Sequence, residues 1–313
     1  MRAVVTGGAG FIGSHLCERL FDSGYDEVWC LDDFSTGRPA NVAGLTHRRG
    51  FKLVQGDIVH GIGVAGKVDA VLHFASPASP IDYLKRPLYT LRTGAEGTRN
   101  ALELAARNDA RFVLASTSEV YGDPEVHPQT EGYWGNVNPV GPRSCYDEAK
   151  RYAEALAAAY VRERGTNAGI IRIFNTFGPR MRAGDGRVVP NLIRQALTGD
   201  PMTVTGDGSQ TRSLCYVDDL VGGVMRMLGS DIAGPVNLGN PHELSMLELA
   251  EWIRELTGST SGITMIPLPE DDPKRRRPNI ELARTKLDWQ PSTSVAEGLR
   301  RTIAWFADAP SAP

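Results

Sequence analysis

Tyr146 and Lys150 lie four residues apart in a segment whose apolar spacing predicts a helix over residues 146–164, so both side chains share one helix face. An ammonium beside a phenol favours the phenolate, and the pair could serve as a proton acceptor near neutral pH. Tyr-x-x-x-Lys arises by chance on many helices and gains meaning only from its company. That company is Leu114-Ala115-Ser116-Thr117-Ser118-Glu119-Val120-Tyr121-Gly122, which continues the apolar run Arg111-Phe112-Val113-Leu114-Ala115. A strand ending there presents hydroxyls and one carboxylate at the C-terminal edge of a sheet, where open α/β sheets bind ligands. By itself Glu119 could also be a plain solvated carboxylate at a strand end.

A second constellation stands at the start of the chain. Gly7, Gly10 and Gly13 follow the apolar run Ala3-Val4-Val5 and open a helical pattern that includes Phe11 and Ile12. Such a turn needs positive φ, close approach of backbone to a diphosphate and tight helix-on-strand packing. Asp32 follows Gly13 by 19 residues at the end of the next strand run, with Asp33 beside it. A carboxylate there can accept hydrogen bonds from an adenosine ribose and would repel a 2′-phosphate, which points to NAD over NADP. The alternative for Asp32 is a turn or helix-cap aspartate. Asp57 and Ile58, after a third strand run, are candidates for the adenine side, although Asp57 alone also reads as a turn residue.

The elements that must carry these groups are legible as short apolar runs separated by helical or loop segments. They start at Ala3, Val28, Phe51, Ala70, Arg111 and Ile170, with a further run at Pro235-Val236-Asn237-Leu238-Gly239. This alternation predicts a Rossmann-type doubly wound parallel sheet covered on both faces, with helices over residues 90–106 and 146–164. Past residue 174 the texture turns glycine-, proline- and arginine-punctuated. The expected division is residues 1–174 as a dinucleotide-binding domain and 175–313 as a smaller substrate lobe, with residues 217–242 returning to the main sheet.

The chain has 313 residues, with 34 Lys plus Arg against 37 Asp plus Glu and a net charge of -3. No global positive field attracts nucleic acid, so anionic ligands must be held by local arginines. Cys17, Cys30, Cys145 and Cys215 lie far apart with no C-x-x-C spacing, as expected of free thiols in a reducing compartment and not of a zinc site or disulfide framework. No metal is expected. No apolar stretch reaches the ~18 residues of a membrane span, and Arg2 leads directly into a short apolar run and then glycines with no h-region or cleavage site of a signal peptide, so a cytoplasmic location without membrane association is expected. His73 and His127 read as structural.

The motifs TGGAGFIGSHL, HFASPASP, LASTSEVYGDPEVHP, WGNVNPVGPRSCYDEAKR, RIFNTFGPRM, GSQTRSLCYVDDL, PVNLGNP and DDPKRRRPNI together span nearly the whole chain. In them the sequence resembles the extended short-chain dehydrogenases/reductases that act on nucleotide sugars, and among these the UDP-glucuronate decarboxylases. T-S-E-V-Y-G discriminates, because related 4,6-dehydratases usually carry an Asp-Glu pair there and 4-epimerases usually lack the glutamate. The resemblance implies bound NAD, UDP-glucuronate as substrate and UDP-xylose as product. It assigns Thr117 to the sugar 4-hydroxyl, Tyr146 to its deprotonation, Lys150 to the nicotinamide ribose, and Ser118 and Glu119 to C5 and the carboxylate. Arg276 is implied at the substrate too.

Arg212 and Arg276 carry planar donor forks suited to phosphate or carboxylate. Gln210 precedes Arg212 in S-Q-T-R, Asn175 matches a phosphate-contacting asparagine, and Arg180, Arg187, Tyr83 and Arg92 complete the expected substrate contacts. The run from Lys274 to Arg277 reads otherwise as solvated charge, and Tyr83 and Arg92 as ordinary surface packing. Gly94 stands where the family commonly has asparagine. A homodimer built on the two long helices is a family-level expectation. The alternatives are a UDP-sugar 4-epimerase, a decarboxylase that releases a 4-keto pentose, and a non-catalytic nucleotide-sugar binder on the same fold.

Overall fold

The computed structural model describes residues 1–267 and 275–308; Lys274 and the acidic residues before it lie outside the described residues. Six strands follow one another in the first part of the chain: β1 (Arg2–Thr6), β2 (Glu27–Asp32), β3 (Phe51–Gln55), β4 (Ala70–His73), β5 (Arg111–Thr117) and β6 (Ala168–Ile173). Between them run α1 (Phe11–Asp22), α2 (Pro80–Lys85), α3 (Pro87–Arg92), α4 (Thr98–Asn108) and α5 (Ser144–Arg164). Beyond them come β7 (Thr176–Phe177), α6 (Val188–Thr198), β8 (Met202–Thr205), β9 (Thr211–Ser213), β10 (Cys215–Tyr216), α7 (Val217–Leu228) and β11 (Val236–Leu238). The last elements used below are β12 (Glu243–Ser245), α8 (Met246–Thr257), β13 (Ile263–Ile266) and β14 (Arg275–Arg276).

The main sheet has seven strands in the order β11-β6-β5-β4-β1-β2-β3, and every pairing is parallel. Its apolar residues alternate between two covered faces, as a parallel sheet requires. Val4, Val71, Phe112, Leu114 and Ile170 pack with Ala101, Leu102 and Ala105 of α4 and Ala153 and Ala157 of α5. Val5, Leu72, Val113 and Ile171 pack on the other side with Leu16 and Leu20 of α1 and Leu220, Val221 and Val224 of α7. That second cluster continues through Leu192 and Ile193 of α6, Met202 and Val204 of β8, and Leu249 and Ile253 of α8, so the C-terminal elements share its core. Strand order reverses between β1 and β4, which opens a crevice at their C-terminal ends.

Two features of the helical layer differ from the sequence expectation. The helix expected over residues 90–106 is three pieces, α3, a wide π turn over Thr93–Gly97, and α4. The cause is close packing: a Cβ on Gly94 would stand 2.6 Å from the Ala149 Cβ of α5, and one on Gly97 2.5 Å from Ile58. The asparagine common in the family would have to displace α5 one residue from Lys150. The second feature is the start of α5, which lies at Ser144 and carries Tyr146 in its first turn.

Candidate active site

A single cleft of about 740 Å³ runs along the C-terminal ends of the sheet, from Asp32 and Asp57 at one end to Arg212 and Arg276 at the other. At the first end, the turn from β1 into α1 is built of glycines for two reasons. Gly7 has φ of +71° and passes so close to the end of β4 that a Cβ would lie 2.7 Å from the Ala75 nitrogen; a Cβ on Gly13 would meet the Gly7 carbonyl oxygen at 2.1 Å. α1 therefore starts against β1, and its N-cap, Gly10, makes no side-chain cap bond. The first-turn N–H groups of Phe11, Ile12 and Gly13 have no intrahelical partner and border the cleft, an arrangement that favours a diphosphate.

Asp32 ends β2 with both carboxylate oxygens engaged, one accepting the Ala9 N–H and the other the Phe34 N–H, each at 2.9 Å. It is thus a turn aspartate that stitches the glycine turn to β2, and an ionised carboxylate with further acceptor capacity towards the cleft. Burial pushes its pKa up against these bonds. Asp33 accepts from Tyr89 Oη at 2.6 Å, and Asp57 caps the short turn at Ile58 by accepting the Val59 N–H at 2.9 Å; all three residues border the cleft. A cradle without Cβ atoms, an uncapped helix N-terminus and an acceptor at the end of β2 fit a dinucleotide.

The chemical centre lies at the end of β5. Thr117 is the last residue of that strand and its hydroxyl accepts the Glu119 N–H at 3.2 Å, turning the chain into a short helical turn over Ser118–Tyr121. Tyr146 and Lys150 project from α5 into the same cleft. Lys150 Nζ donates to the Ala115 carbonyl at 2.9 Å and stands 5.8 Å from the Tyr146 ring centroid. Burial lowers the Lys150 pKa to about 8. Burial also pushes the Tyr146 hydroxyl up to about 12, with the Glu119 charge adding to the rise and the Thr117 hydroxyl opposing it. In these side chains alone, burial and the Glu119 charge outweigh the Thr117 hydroxyl and the Arg187 charge that oppose them.

Glu119 is the most heavily paired group in the cleft. Arg143 Nη2 donates to its Oε2 at 2.8 Å, Arg276 Nη2 donates to the same oxygen at 3.0 Å, and Arg276 Nη1 is hydrogen-bonded to Oε1. Burial raises the carboxyl pKa, but the two guanidinia more than reverse it and hold it at about 2. Arg143, which precedes Tyr146 by three residues in G-P-R-S-C-Y, is the functional residue that sequence reasoning missed. Its signal was its place one turn before Tyr146, at the N-cap of α5. Asp147, beside Tyr146, was missed too: it is buried, Oδ1 has no hydrogen-bond partner among the described residues, and burial with the Glu119 charge raises its pKa to about 7.

At the far end, β9 and β14 pair so that Arg212 stands opposite Arg276. Asn175, Arg180, Arg187, Gln210 and Ser118 all border the cleft with them. Gln210 Nε2 donates to the Thr205 carbonyl at 2.6 Å, and Arg180 is ion-paired with Glu18 of α1 at 2.7 Å, close to the dinucleotide end. Two expected contacts lie elsewhere. Arg92 is exposed, pairs with Glu96 four residues on, and does not border the cleft. Tyr83 lies behind the wall, only 1% exposed, stacked on the Tyr146 ring at 5.1 Å with its own hydroxyl unpartnered among the described residues. His73 sits between Thr6 and Thr98, kept neutral by burial that takes its pKa to about 3, and His127 pairs with Glu243. Among the described residues no group of three or more His, Cys, Asp or Glu could hold a metal, and all four cysteines are free and buried.

Comparison with known proteins agrees with this geometry. The chain is 51% identical over 306 residues to UDP-glucuronic acid decarboxylase 1 of Danio rerio, covering 98% of this chain and 72% of that protein. It is 50% identical to UDP-glucuronic acid decarboxylase 6 of Arabidopsis thaliana over 96% of this chain and 87% of that one. Among solved structures it resembles a UDP-glucuronic acid 4-epimerase variant from Bacillus cereus in complex with a fluorinated UDP-glucuronic acid and NAD, with TM-score 0.89 and 28% identity over 98% of this chain and 99% of that one. It also resembles a dTDP-glucose 4,6-dehydratase from Streptomyces venezuelae with NAD bound, with TM-score 0.87 and 29% identity over 98% and 97% of the two chains. The NAD dependent epimerase/dehydratase family matches residues 3–239, the stretch that holds the glycine turn, Thr117, Tyr146 and the whole seven-stranded sheet, and the chain belongs to that family.

Proposed function

We propose that this chain converts UDP-glucuronate to UDP-xylose and carbon dioxide, using bound NAD as a catalyst that is regenerated in each turnover. The observation that carries the reading is the pair of guanidinia, Arg276 and Arg143, gathered on Glu119 beside Tyr146. Two guanidinia on one carboxylate leave a positive charge over, which the C6 carboxylate of a sugar acid matches and a neutral hexose does not. The identity of about one half with UDP-glucuronic acid decarboxylases supports the same reading.

Thr117 and Tyr146 meet the sugar 4-hydroxyl, Thr117 orienting it and Tyr146 taking its proton as the phenolate, the form that the Lys150 ammonium and the cationic nicotinamide of bound NAD would favour. Gly7, Gly10, Gly13 and Asp32 would hold NAD, which would supply a reversible acceptor for the C4 hydride. Once C4 is a ketone, the C6 carboxylate lies β to a carbonyl. The C5–C6 bond can then break with its electrons passing to the C4 oxygen, where the Thr117 and Tyr146 hydroxyls stabilise the enolate. Protonation at C5 completes the pentose skeleton. Glu119 is held ionised by its arginines, so its part there is to orient a proton-donating water with Ser118, not to give up a proton of its own.

Residues 1–174 and 217–242 form the NAD-binding unit in this reading, and the rest of 175–313 the substrate lobe. Leu88, Leu91 and Tyr152 are exposed on α3 and α5 and support a homodimer through these helices. Among the described residues no helix is long and apolar enough to cross a membrane. Free buried thiols suit a reducing compartment and support a cytoplasmic location.

The test is to incubate purified protein with UDP-glucuronate, first without and then with added NAD, and to follow products by NMR. UDP-xylose without net NADH is the expected result. NADH with a 4-keto pentose would mark a decarboxylase that does not return its hydride, UDP-galacturonate a 4-epimerase, and binding without turnover a nucleotide-sugar binder.

A further inference from the structure

Arg276 belongs to a two-residue strand, which has little of its own to hold a guanidinium in one place. One side of that strand pairs with β9. The residues that follow it are gripped from elsewhere by Gln129. The Gln129 N–H donates to the Arg277 carbonyl at 2.9 Å, its Oε1 accepts the Arg277 N–H at 2.8 Å, and its carbonyl accepts the Asn279 N–H at 2.8 Å. Gln129 Nε2 is in turn tied to the Val126 carbonyl at 2.8 Å. Asn237, at the centre of β11, joins both partners: Nδ2 donates to the Gln129 carbonyl at 3.0 Å and to the Asn279 carbonyl at 3.1 Å, while Oδ1 accepts from Tyr121 Oη at 2.7 Å.

Both amides are fully buried, at 0% exposure, and neither borders the cleft. Burying two primary amides costs free energy unless every polar atom is paired, and here one polar atom of each is paired by the segment after Arg276, through the Arg277 N–H and the Asn279 carbonyl. A three-residue strand at the edge of an apolar core needs no asparagine for its own sake. We propose that Gln129 and Asn237 are positioning residues for Arg276, a clasp that sets the register of the arm and thereby aims the guanidinium at the substrate carboxylate. The inference rests on the decarboxylase reading for the identity of that carboxylate. The clasp itself does not depend on it.

The test compares Gln129→Met, which removes the acceptor for Arg277, with Gln129→Glu, whose protonated carboxyl can restore both side-chain bonds. Loss of one or two hydrogen bonds predicts that Gln129→Met raises KM for UDP-glucuronate by about tenfold. The dissociation constant for UDP, which has no sugar acid, should stay within roughly twofold of wild type on the same scale. Gln129→Glu should recover most of the affinity for UDP-glucuronate. Unchanged KM in Gln129→Met, equal weakening of UDP and UDP-glucuronate, or no recovery in Gln129→Glu would each overturn the proposal. Hydrogen exchange on the wild-type protein decides it should the variants fail to fold: the Arg277 and Asn279 amides should exchange as slowly as those of β11, and exchange at the rate of exposed turns would refute the clasp. A wild-type protein that binds UDP-glucuronate no better than UDP, with those amides protected, would instead refute the substrate.

Discussion

Replacing Glu119 with glutamine tests the electrostatic centre of the site. In the folded protein the carboxyl sits at about 2, against 4.5 for the free side chain. That difference of roughly 2.5 units corresponds to about 3 kcal/mol of folding free energy tied to the ionised form. Because the folded pKa is depressed, the contribution is fully present above the unfolded value and is lost as pH falls through about 4.5 towards 2. Glutamine removes the charge and leaves Arg143 and Arg276 facing each other in a buried setting, which by itself is worth a few kcal/mol of destabilisation. Urea unfolding should therefore place Glu119→Gln about 3 kcal/mol below wild type at pH 7.5, with the gap shrinking by about 2 kcal/mol between pH 5 and pH 3. A substrate carboxylate arriving between the arginines restores the missing counter-ion, so saturating UDP-glucuronate should raise Tm more in Glu119→Gln than in wild type, and UDP should not. A variant within about 0.5 kcal/mol of wild type at pH 7.5, or an equal Tm increment with both ligands, would refute the reasoning.

Tyr146→Phe should abolish product formation while leaving UDP-glucuronate affinity nearly intact by calorimetry; normal turnover would remove Tyr146 from the proton-transfer role. Asp147 is held above its ordinary range at about 7, so its folding contribution is present below the unfolded pKa and lost as pH rises through 7. Asp147→Asn should accordingly raise Tm at pH 8.5 and change it little at pH 4, and the reverse order would contradict the assigned direction. Gly13→Ala puts a methyl 2.1 Å from the Gly7 carbonyl oxygen and should cost NAD binding by forcing α1 off β1, readable by fluorescence titration with NADH. Tyr83→Phe removes a buried hydroxyl without a described partner and should hold or raise stability by up to about 1 kcal/mol with KM unchanged; a large rise in KM would return Tyr83 to the substrate contacts.

Much of this arrangement is legible along the chain because it is local. Alternating apolar runs mark the strands, the glycine spacing marks a turn that excludes Cβ atoms, and four residues on one helix bring Tyr146 and Lys150 together whatever the rest of the molecule does. The wide turn after α3 is not legible in the same way. It depends on how near Gly94 comes to Ala149, two residues more than fifty positions apart. The place of Arg92, exposed and paired with Glu96, is not legible either, nor is that of Tyr83, stacked on the Tyr146 ring.

The order of residue types, then, determined the sheet, the dinucleotide turn and the Thr117, Tyr146 and Lys150 set, since short-range spacing and the need to bury apolar faces leave few other outcomes. Tertiary structure alone decided the ionisation of the site. Whether Glu119 is a solvated acid or a buried anion depends on Arg143 from the start of α5 and Arg276 from a strand 157 residues away. Whether Tyr146 titrates low or near 12 depends on how much water the fold excludes from around it. Coulomb and desolvation energies are set by distance and burial in space, and neither quantity exists until the chain has closed on itself.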